Sequence, residues 1–484
     1  MTTLGKNPPL RIALWSLAAA LATACAPTLP RARSVPLPLA PAVSQASGAP
    51  ASATGLDAPP ADAPLSMAQA AEIALARNPA TRAAWADARA AAARYGSARG
   101  AWLPTVDLEV ALTRGRGLTS SGKAAGQTAG STVATASISY LLLDCGGRSG
   151  AVAESRLALL AADWTRNAVV SQVLLQAELA YLDYAGALSL LDASRTSLSE
   201  AEANLGAAEE RQRLGLATRA DVLLARTALA EATLSRQSAE GQVRTRRGAL
   251  ATVLGLPANA PFTPQVTVPE IPKGSLDRTV DQLVEQALTS RPELQATLAT
   301  ADQARARVRQ ARSALLPTLS LDGWLSRNWI RHVPGAATTY SGALTLAFPL
   351  FDGFSGRYDL RQAQATAEAA TERARATRLT VIEQVVAAHS DFLTAGQRVQ
   401  TTTELLASAT QSAEMALGRY QEGVGGMLDL LSAQRTLAQA RAEQVDARLS
   451  WFASLAQLAH DVGVLGPAGD NPLTPSGTPS EVTP

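Results

Sequence analysis

The sequence predicts a mixed α and β fold built from two tandem structural repeats, each with a pair of strands followed by a long helical hairpin. Three observations support this prediction. Paired motifs recur at a nearly constant spacing, two runs of alternating apolar and polar residues occur in each half, and a long proline-free segment follows each pair of runs. The period-two runs indicate strands, and the recurring spacing indicates a duplication.

The N-terminal segment has the features of an export signal. Lys6 and Arg11 place positive charge ahead of an apolar run at 12–22, which is too short to span a bilayer comfortably. Cys25 follows an Ala-Thr-Ala sequence that suits signal peptidase, and its surroundings also resemble an imperfect lipobox. The segment 1–24 is therefore predicted to be a signal peptide, with lipidation of Cys25 and plain cleavage nearby as open alternatives.

The rest of the chain divides by composition and by repetition. Residues 25–64 are rich in proline and alanine and are predicted to be an extended linker, and residues 467–484 are predicted to be a similar disordered tail. Between them we expect a first repeat at 65–264 and a second repeat of the same plan at 265–466.

The duplication is visible in motifs that recur at two offsets. The offset in residue number falls from 213 for Leu103-Pro104 and Leu316-Pro317 to 208 for Asp144 and Asp352, so one loop is five residues longer in the first repeat. The second offset also relates Gly215 to Gly423 and Asp221 to Asp429. Two residues related by this second offset are called repeat mates below.

Each repeat is expected to begin with a helix and to continue with two strands. The first helix is predicted over Leu65 to Ala101, where a following Leu-Pro pair ends it because proline disfavours helix at the preceding residue. Residues 106–113 and 134–142 then alternate between apolar and polar side chains, on either side of a loop rich in Gly, Ser and Thr. The second repeat shows the same alternation near 319–325 and 340–348, so four strands are predicted.

The proline-free segments predict long helices. Arg148 to Leu214 would form a helix of roughly 100 Å, Gly215 would break it, and a return helix from about Asp221 to Gly255 would be about half as long. Large residues alternate with small ones in heptads, which allows close knobs-into-holes packing. The heptad residues in the first long helix are Tyr184, Leu191, Leu198 and Leu205, with Ala187, Ser194, Ala201 and Ala208.

Four strands cannot close a barrel, and an open sheet edge cannot face lipid. A membrane location for this chain would therefore require an oligomer, and three chains would provide twelve strands. Aromatic residues near the strand ends fit an interfacial belt, namely Trp102, Tyr140, Trp324, Trp329 and Tyr340. An antiparallel coiled coil without a channel remains an alternative, since heptads alone favour it.

The two hairpin turns carry the most specific resemblance to a known family. They read RLGLATRADVL at 213–223 and RYQEGVGGMLDLLSAQ at 419–434. Together with the duplicated strand–loop–strand plan, they resemble the tips of the TolC-like outer-membrane factor family, over residues 65 to 466. The resemblance implies an obligate trimer in the bacterial outer membrane, with a 12-stranded transmembrane β-barrel of four strands per chain that continues into a long periplasmic α-helical barrel.

The same resemblance implies an outer-membrane exit duct of a tripartite exporter, a passive channel opened by a periplasmic adaptor and an inner-membrane pump. The strand-to-helix junctions at 143–148 and 351–357 look more like the secretion-type branch, which serves haemolysin-like toxin exporters, than like the multidrug lipoproteins. Type I protein secretion with an ABC transporter is therefore favoured. A multidrug or metal efflux duct of the same fold is the alternative, and a non-channel periplasmic coiled-coil scaffold is a further one.

The resemblance also assigns roles at the closed periplasmic end. Asp429 corresponds to the family's pore-gate aspartate, while Ser432 stands where a second acidic ring often occurs. A latch would pair Tyr420 with Asp221, and it should be weaker here because Gly425 replaces a frequent arginine. The alternative for Asp429 is a simple role at the start of the return helix, where acids are favourable.

The turns themselves form a candidate docking site. Gly215 and Gly423 permit the tight reversals, and the exposed apolar residues Leu216 and Val424 beside them are candidates to receive an adaptor hairpin. Closing the turn is an equally good interpretation of these residues.

Composition argues against an enzyme. The chain has three histidines and no metal-ligand pattern around them, no phosphate-binding loop and no nucleophile motif, so neither a metal nor a cofactor is expected. Lys and Arg number 43 against 41 Asp and Glu, which gives no basic field for nucleic acid. The expected partners are two further copies of the chain, the adaptor, the inner-membrane pump and outer-membrane lipid.

Overall fold

A computed structural model describes residues 64–115, 129–260, 264–266, 271, 278–331 and 334–465. The predicted signal peptide, Cys25, nearly all of the predicted linker and the predicted tail lie outside these residues. Within the described part, the helices and strands follow the same order twice. The division of the chain at 264/265 stays a prediction.

The elements of the first repeat are α1 (Met67–Arg77), α2 (Pro79–Gly100), β1 (Thr105–Gly115), β2 (Ala129–Leu143), α3 (Gly147–Arg213) and α4 (Arg219–Val253). Those of the second are α5 (Val280–Ser290), α6 (Pro292–Ser313), β3 (Thr318–Ile330), β4 (Ala337–Ala347), α7 (Ser355–Gln421) and α8 (Met427–Val462). The four predicted strands and both long hairpins are confirmed. Both long helices contain 67 residues, and they begin and end at repeat mates.

The prediction of one continuous helix over Leu65 to Ala101 is wrong. Asn78 is extended, with φ −60° and ψ 127°, and it separates α1 from α2. It precedes Pro79, and the proline ring disfavours helical geometry at the residue before it. The Asn78 side chain accepts a hydrogen bond from the Ala80 N–H at 2.9 Å and donates one to the Val253 carbonyl at 3.0 Å. Arg291 before Pro292 makes the same break in the second repeat.

The four strands form one antiparallel sheet in the order β1-β2-β3-β4. The register places an apolar row from every strand on one face, and polar residues such as Asp107, Thr135, Ser326 and Thr339 on the other. The apolar face includes Val106, Leu108, Val110, Leu112, Ile138, Tyr140, Leu321, Leu325, Tyr340, Leu344 and Leu346. All of these except the half-buried Tyr140 are exposed in the single chain.

Trp324 lies on the opposite face of the sheet from the predicted belt residues Tyr140, Trp329 and Tyr340. It pairs with Ser137 and Ser341, so it lies on the polar face, opposite to Tyr340. The period of two that defines a strand places neighbouring residues on opposite faces, and Trp324 is out of phase with Leu321 and Leu325.

The helices form a layered wall along the two long helices. In each repeat, two shorter helices and the return helix pack along the long one: α1, α2 and α4 along α3, and α5, α6 and α8 along α7. The shorter helices and the return helix of each repeat therefore lie alongside the long helix of the same repeat. The heptad residues Tyr184 and Leu191 are buried, as are Ala187, Ser194 and Ala201. No helix in the described part of the chain is long and apolar enough to cross a membrane.

Candidate gate and docking site at the hairpin tips

The two hairpin turns have the same backbone geometry. Gly215 has φ +79° and Gly423 has φ +75°, a left-handed conformation that glycine adopts without steric cost. The Leu216 N–H donates to the Arg211 carbonyl at 2.8 Å, and the Val424 N–H donates to the Arg419 carbonyl at 2.9 Å. Each bond closes the C-terminal turn of a long helix, and its donor and acceptor in one repeat are the repeat mates of those in the other. The two repeats therefore still correspond, residue by residue, through the tips.

The apolar side chains beside these glycines point away from the tip core. Leu216 is 67% exposed and Val424 is 70% exposed. They do not close the turns by packing within the chain, because the tip core is made of other residues. That core joins the two repeats and contains Ala208, Val222, Ala225, Tyr420, Met427 and Leu430. The tips thus offer apolar surface that the chain itself leaves uncovered.

A groove lies between the two return helices just below the tips. It has a volume of about 320 Å³. Its lining is mostly apolar and comes from both hairpins, with Leu224, Thr227 and Ala228 from α4, and Leu428, Leu431, Ser432 and Arg435 from α8. The groove and the exposed tip residues lie at the same end of the molecule.

Arg211 ties the two tips together, and the sequence analysis missed it. Its guanidinium donates to the carbonyls of Tyr420 at 2.8 Å and Gln421 at 3.2 Å, and it lies 4.8 Å from the centre of the Tyr420 ring. These carbonyls end α7, where the helix dipole is negative, so a cation is favourable there. The signal that could have found this residue is repetition, since Arg211 and Arg419 both stand four residues before a tip glycine.

The latch residues meet at the tips but do not form a direct hydrogen bond. Tyr420 is buried, and its hydroxyl has no hydrogen-bond partner in the part of the chain that the structure describes. The pKa of the Tyr420 hydroxyl is raised above its ordinary value. Burial is the main cause, the Arg211 guanidinium acts in the opposite direction, and the Asp221 carboxylate raises the pKa further. Asp221 accepts hydrogen bonds at 2.8 Å from the Thr218 N–H and hydroxyl. The pairing of Tyr420 with Asp221 as a latch therefore stays a prediction.

The two first-turn aspartates differ in their partners. Asp221 completes a capping box with Thr218, the residue that precedes α4. Asp429 holds the same place in α8, but Gly426 stands where Thr218 does and has no side chain to bond. Asp429 is exposed and free of any side-chain cap bond. The helix dipole still favours an acid there, so both interpretations of Asp429 remain, with its carboxylate available to solvent or a pore.

The described residues contain no group of three or more His, Cys, Asp or Glu side chains that could hold a metal ion. His460 is buried and its Nδ1 lies 3.1 Å from Asp461 Oδ1, while Arg291 lies 3.4 Å from the same oxygen. The cluster joins α8 to the start of α6 and is explained by packing. Burial alone would raise the pKa of the Asp461 carboxyl, but bonds from His460 and Gln457 together with the Arg291 charge outweigh burial and lower it.

Comparison with known proteins decides the family. The family described as outer membrane efflux protein matches residues 70–256 and 283–464. This chain belongs to that family. The resemblance of the hairpin tips to TolC-like outer-membrane factors is thereby confirmed, and the chain is placed in the outer membrane with its helical part in the periplasm.

Individual relatives agree with this assignment. The chain is 31% identical to Protein CyaE of Bordetella pertussis, over 80% of this chain and 82% of that protein. It is 27% identical to the probable efflux pump outer membrane protein SepC of Pseudomonas putida, over 75% of this chain and 76% of that one.

Two crystal structures share the fold. The outer membrane protein VceC of Vibrio cholerae matches with TM-score 0.72 and 20% identity, over 82% of this chain and 96% of VceC. The CmeC outer membrane channel of Campylobacter jejuni matches with TM-score 0.75 and 18% identity, over 84% of this chain and 87% of CmeC.

Proposed function

We propose that three copies of this chain form the outer-membrane exit duct of a tripartite exporter. The observation that carries the proposal is the sheet, which exposes a continuous apolar face and leaves β1 and β4 with one partner strand each among the described residues. A sheet of this kind in lipid must be closed, since unpaired backbone groups are costly there. Membership of the outer membrane efflux protein family supports the same conclusion.

Closure between copies fits the dimensions of the edge strands. β1 and β4 each contain 11 residues, so β4 of one chain can pair with β1 of the next along its whole length. Three sheets of four strands would give a 12-stranded barrel with the apolar face toward lipid and the polar face toward the lumen. The long helices, roughly 100 Å each, would continue the barrel as a periplasmic helical tunnel.

The tips would form the closed periplasmic end of this tunnel. Three Asp429 carboxylates around the axis would act as the pore gate, because a narrow entrance concentrates their field. Tyr420 and Asp221 would form the latch, supported by their proximity and by the absence of another partner for the Tyr420 hydroxyl among the described residues.

The adaptor would dock at the tips, on Gly215, Leu216, Gly423 and Val424. The exposure of Leu216 and Val424 supports docking over turn closure, since neither side chain is covered within the chain. The duct has no energy source in its sequence motifs, so an inner-membrane pump would supply energy through the adaptor.

Near the N-terminus, Cys25 is proposed as a lipid attachment site. Metabolic labelling with palmitate, compared between the unchanged protein and Cys25→Ser, checks this proposal.

We infer that the cargo is a protein, as in type I secretion with an ABC transporter. The strand-to-helix junctions support this. In each junction, an aspartate side chain accepts a hydrogen bond from the backbone N–H four residues later. Arg148 donates to Asp144, and Gly356 donates to Asp352. A residue in the left-handed conformation, Gly146 or Phe354, lies between donor and acceptor. These junctions resemble the secretion-type branch. Small-molecule efflux remains the second candidate, because relatives include a protein named as a toluene efflux pump component at 27% identity.

The test begins with assembly. The outer-membrane fraction should contain the protein as a detergent-soluble trimer on chemical cross-linking, and the purified trimer should conduct ions in planar bilayers. Monomers in the soluble periplasm would leave only the coiled-coil scaffold.

The cargo class is tested by comparing export in cells that carry the chain with an ABC transporter and adaptor, or with a proton-driven pump and adaptor. Rescue by the second system alone would contradict protein secretion.

A further inference from the structure

The start of α7 presents aromatic side chains to solvent where the sheet meets the helices. Phe351 is 77% exposed and Phe354 is 52% exposed, and their ring centroids lie 5.4 Å apart in an edge-to-face arrangement. The exposed residues Phe348 and Leu350 join these rings to the end of β4, whose apolar face is also exposed. We call these four residues the junction patch. Contiguous exposed apolar surface of this kind indicates an interaction.

Phe354 has a backbone conformation that its own side chain disfavours. Its φ is +67°, in the left-handed region, where a residue with a bulky side chain is an outlier. Its repeat mate is Gly146, which has φ +101° and no Cβ atom to strain the turn. The second repeat thus keeps a half-exposed aromatic ring where glycine would be less strained. Strain of this kind is concentrated at functional positions, so the ring is expected to act outside the chain.

Two arginines lie beside the patch, one turn apart on α7. Arg357 and Arg361 are both exposed, and the Arg357 guanidinium lies 5.7 Å from the centre of the Phe354 ring. The Arg361 guanidinium lies 5.6 Å from the Tyr358 ring. Neither arginine has an ion-pair partner in the part of the chain that the structure describes. Like charges four residues apart on a helix repel each other, so an anion beside them would stabilise the pair.

The first repeat shows that this side of the junction stays open in a packed helical wall. Helix α3 packs along its own repeat and along α6 and α8 of the second. Gly146 and Ser149 at its start are nevertheless exposed, and a Cβ at Gly146 would meet only the Ser149 hydroxyl at 3.6 Å. These two residues are the repeat mates of Phe354 and Arg357. The side chains at 354 and 357 therefore face the surroundings of the wall.

The whole edge where the sheet meets the helices is basic. Helices α2 and α6 end there, and α3 and α7 begin there. Within two turns of this edge, the helices carry a single acid, Asp359. Their arginines besides Arg357 and Arg361 are Arg94, Arg99, Arg148, Arg307, Arg309 and Arg312. With the sheet in the membrane and the helices in the periplasm, this field would attract anions at the periplasmic surface of the bilayer.

We propose that the junction patch, with Arg357 and Arg361, binds an anionic phospholipid of the periplasmic leaflet. The rings of Phe351 and Phe354 enter the boundary between headgroups and acyl chains, where aromatic side chains are favourable. The two guanidiniums bind the headgroup phosphate, which arginine contacts through parallel hydrogen bonds. A free phosphate would satisfy the arginines but would leave the rings uncovered. The proposal rests on the membrane barrel proposed above and adds a lipid site at its foot.

The arginines are tested with purified full-length protein in a neutral detergent. The thermal dissociation midpoint of the trimer should rise as phosphatidylglycerol is added, and should stay nearly unchanged with phosphatidylcholine or inorganic phosphate. Arg357→Gln with Arg361→Gln should increase the phosphatidylglycerol concentration that gives half of the rise, by roughly fivefold for each arginine. Arg373→Gln with Arg378→Gln is the control, and it should respond like the unchanged protein. Both control arginines are exposed on the same helix, roughly 24 Å further from the sheet.

Phe354→Gly separates the role of the ring from packing within the protein. Without lipid, its midpoint should not fall, because the change removes the strain at φ +67°. With phosphatidylglycerol, its midpoint should rise less than that of the unchanged protein. A fall without lipid, an equal loss of response in both arginine pairs, or an equal rise with inorganic phosphate would each overturn the lipid site. Protein that is not a trimer in detergent would instead overturn the proposed function.

Discussion

At the scale of single residues, the side chain before a helix decides what the acid in its first turn can do. Asp221 is held by Thr218, whereas Asp429 has only Gly426 before its helix. A capping partner fixes a carboxylate and neutralises part of its field through hydrogen bonds. The second repeat lacks that partner, so its carboxylate can face a pore with its full charge.

Asp429→Asn should therefore change selectivity more than stability. We expect planar-bilayer channels of this variant to lose cation preference and block by multivalent cations, while the thermal midpoint of the trimer stays nearly unchanged. Thr218→Ala is the control. It breaks the capping box of α4 without changing a gate or latch residue, which typically costs about 1 kcal/mol, and should lower stability with little effect on selectivity. Unaltered selectivity in Asp429→Asn together with lower stability would leave Asp429 only a role at the helix start.

Glu178 gives the folded helix wall a pH dependence. Burial raises its pKa from 4.5 to about 7. The folded state therefore disfavours the charged form, so stability is full below pH 4.5, falls as pH rises toward 7 and stays reduced above it. Glu178→Gln should remove this fall, with a gain on the order of 2 kcal/mol at high pH. The thermal unfolding midpoint of Glu178→Gln, measured across the acidic and neutral pH range, checks this prediction, and exposed Glu202→Gln is the control. If the two variants gave parallel curves of midpoint against pH, Glu178 would not be the cause of the fall.

At the scale of elements, local patterns were sufficient for the strands and the long helices. Alternation of period two predicted β1 to β4, and the heptads with their proline-free context predicted α3 and α7. The helix before β1 was misjudged because its composition is helical throughout, while one steric clash at Asn78 interrupts it. Composition reports an average over many residues, whereas a break depends on a single φ/ψ pair.

The tip contacts were harder to foresee for a different reason. Arg211 acts on carbonyls of the other repeat, far away along the chain, and no local pattern indicates such a contact. The glycines, by contrast, were predictable because each left-handed turn has a strong local requirement. The gate and latch residues came from resemblance, and the docking residues came from the apolar positions beside the turn glycines. Only the placement of these residues at the tips is visible in the fold.

The docking surface is best tested at Val424. Val424→Arg should abolish export with trimers intact, because it places a charge in exposed apolar surface that an adaptor helix would cover, and Val424→Leu should export normally. Substituting a bulky residue at Gly423 should also abolish export, but less cleanly, since φ is +75° there and a Cβ would lie 3.5 Å from the Arg211 guanidinium. Export is measured beside the amount of trimer, and normal export by Val424→Arg would remove Val424 from the docking site.

At the scale of the whole molecule, duplication explains why the chain is incomplete alone. Each repeat supplies two strands and one hairpin, and within the chain the first repeat satisfies one side of the second. Among the described residues, the open edges are β1 and β4 of the sheet and the exposed apolar face of α7. Apolar residues on the sheet and on α7 are exposed in the single chain, and the proposed assembly in lipid would cover both. Local sequence patterns show the elements, but the need for further copies of the chain follows only from these unsatisfied edges.

The orientation of the sheet makes a prediction about the assembled duct. Leu108 lies on the apolar face and is 75% exposed, while its neighbour Glu109 lies on the polar face. Leu108→Arg should place a charge against lipid, at a cost of roughly 2–4 kcal/mol per chain near the membrane midplane. The variant should leave the outer-membrane fraction or lose its trimer, whereas Glu109→Arg should assemble normally and shift ion selectivity from the lumen. Normal assembly of Leu108→Arg together with loss of assembly in Glu109→Arg would mean that the polar face of the sheet, and not the apolar face, is turned toward lipid. That result would contradict the proposed orientation of the barrel wall.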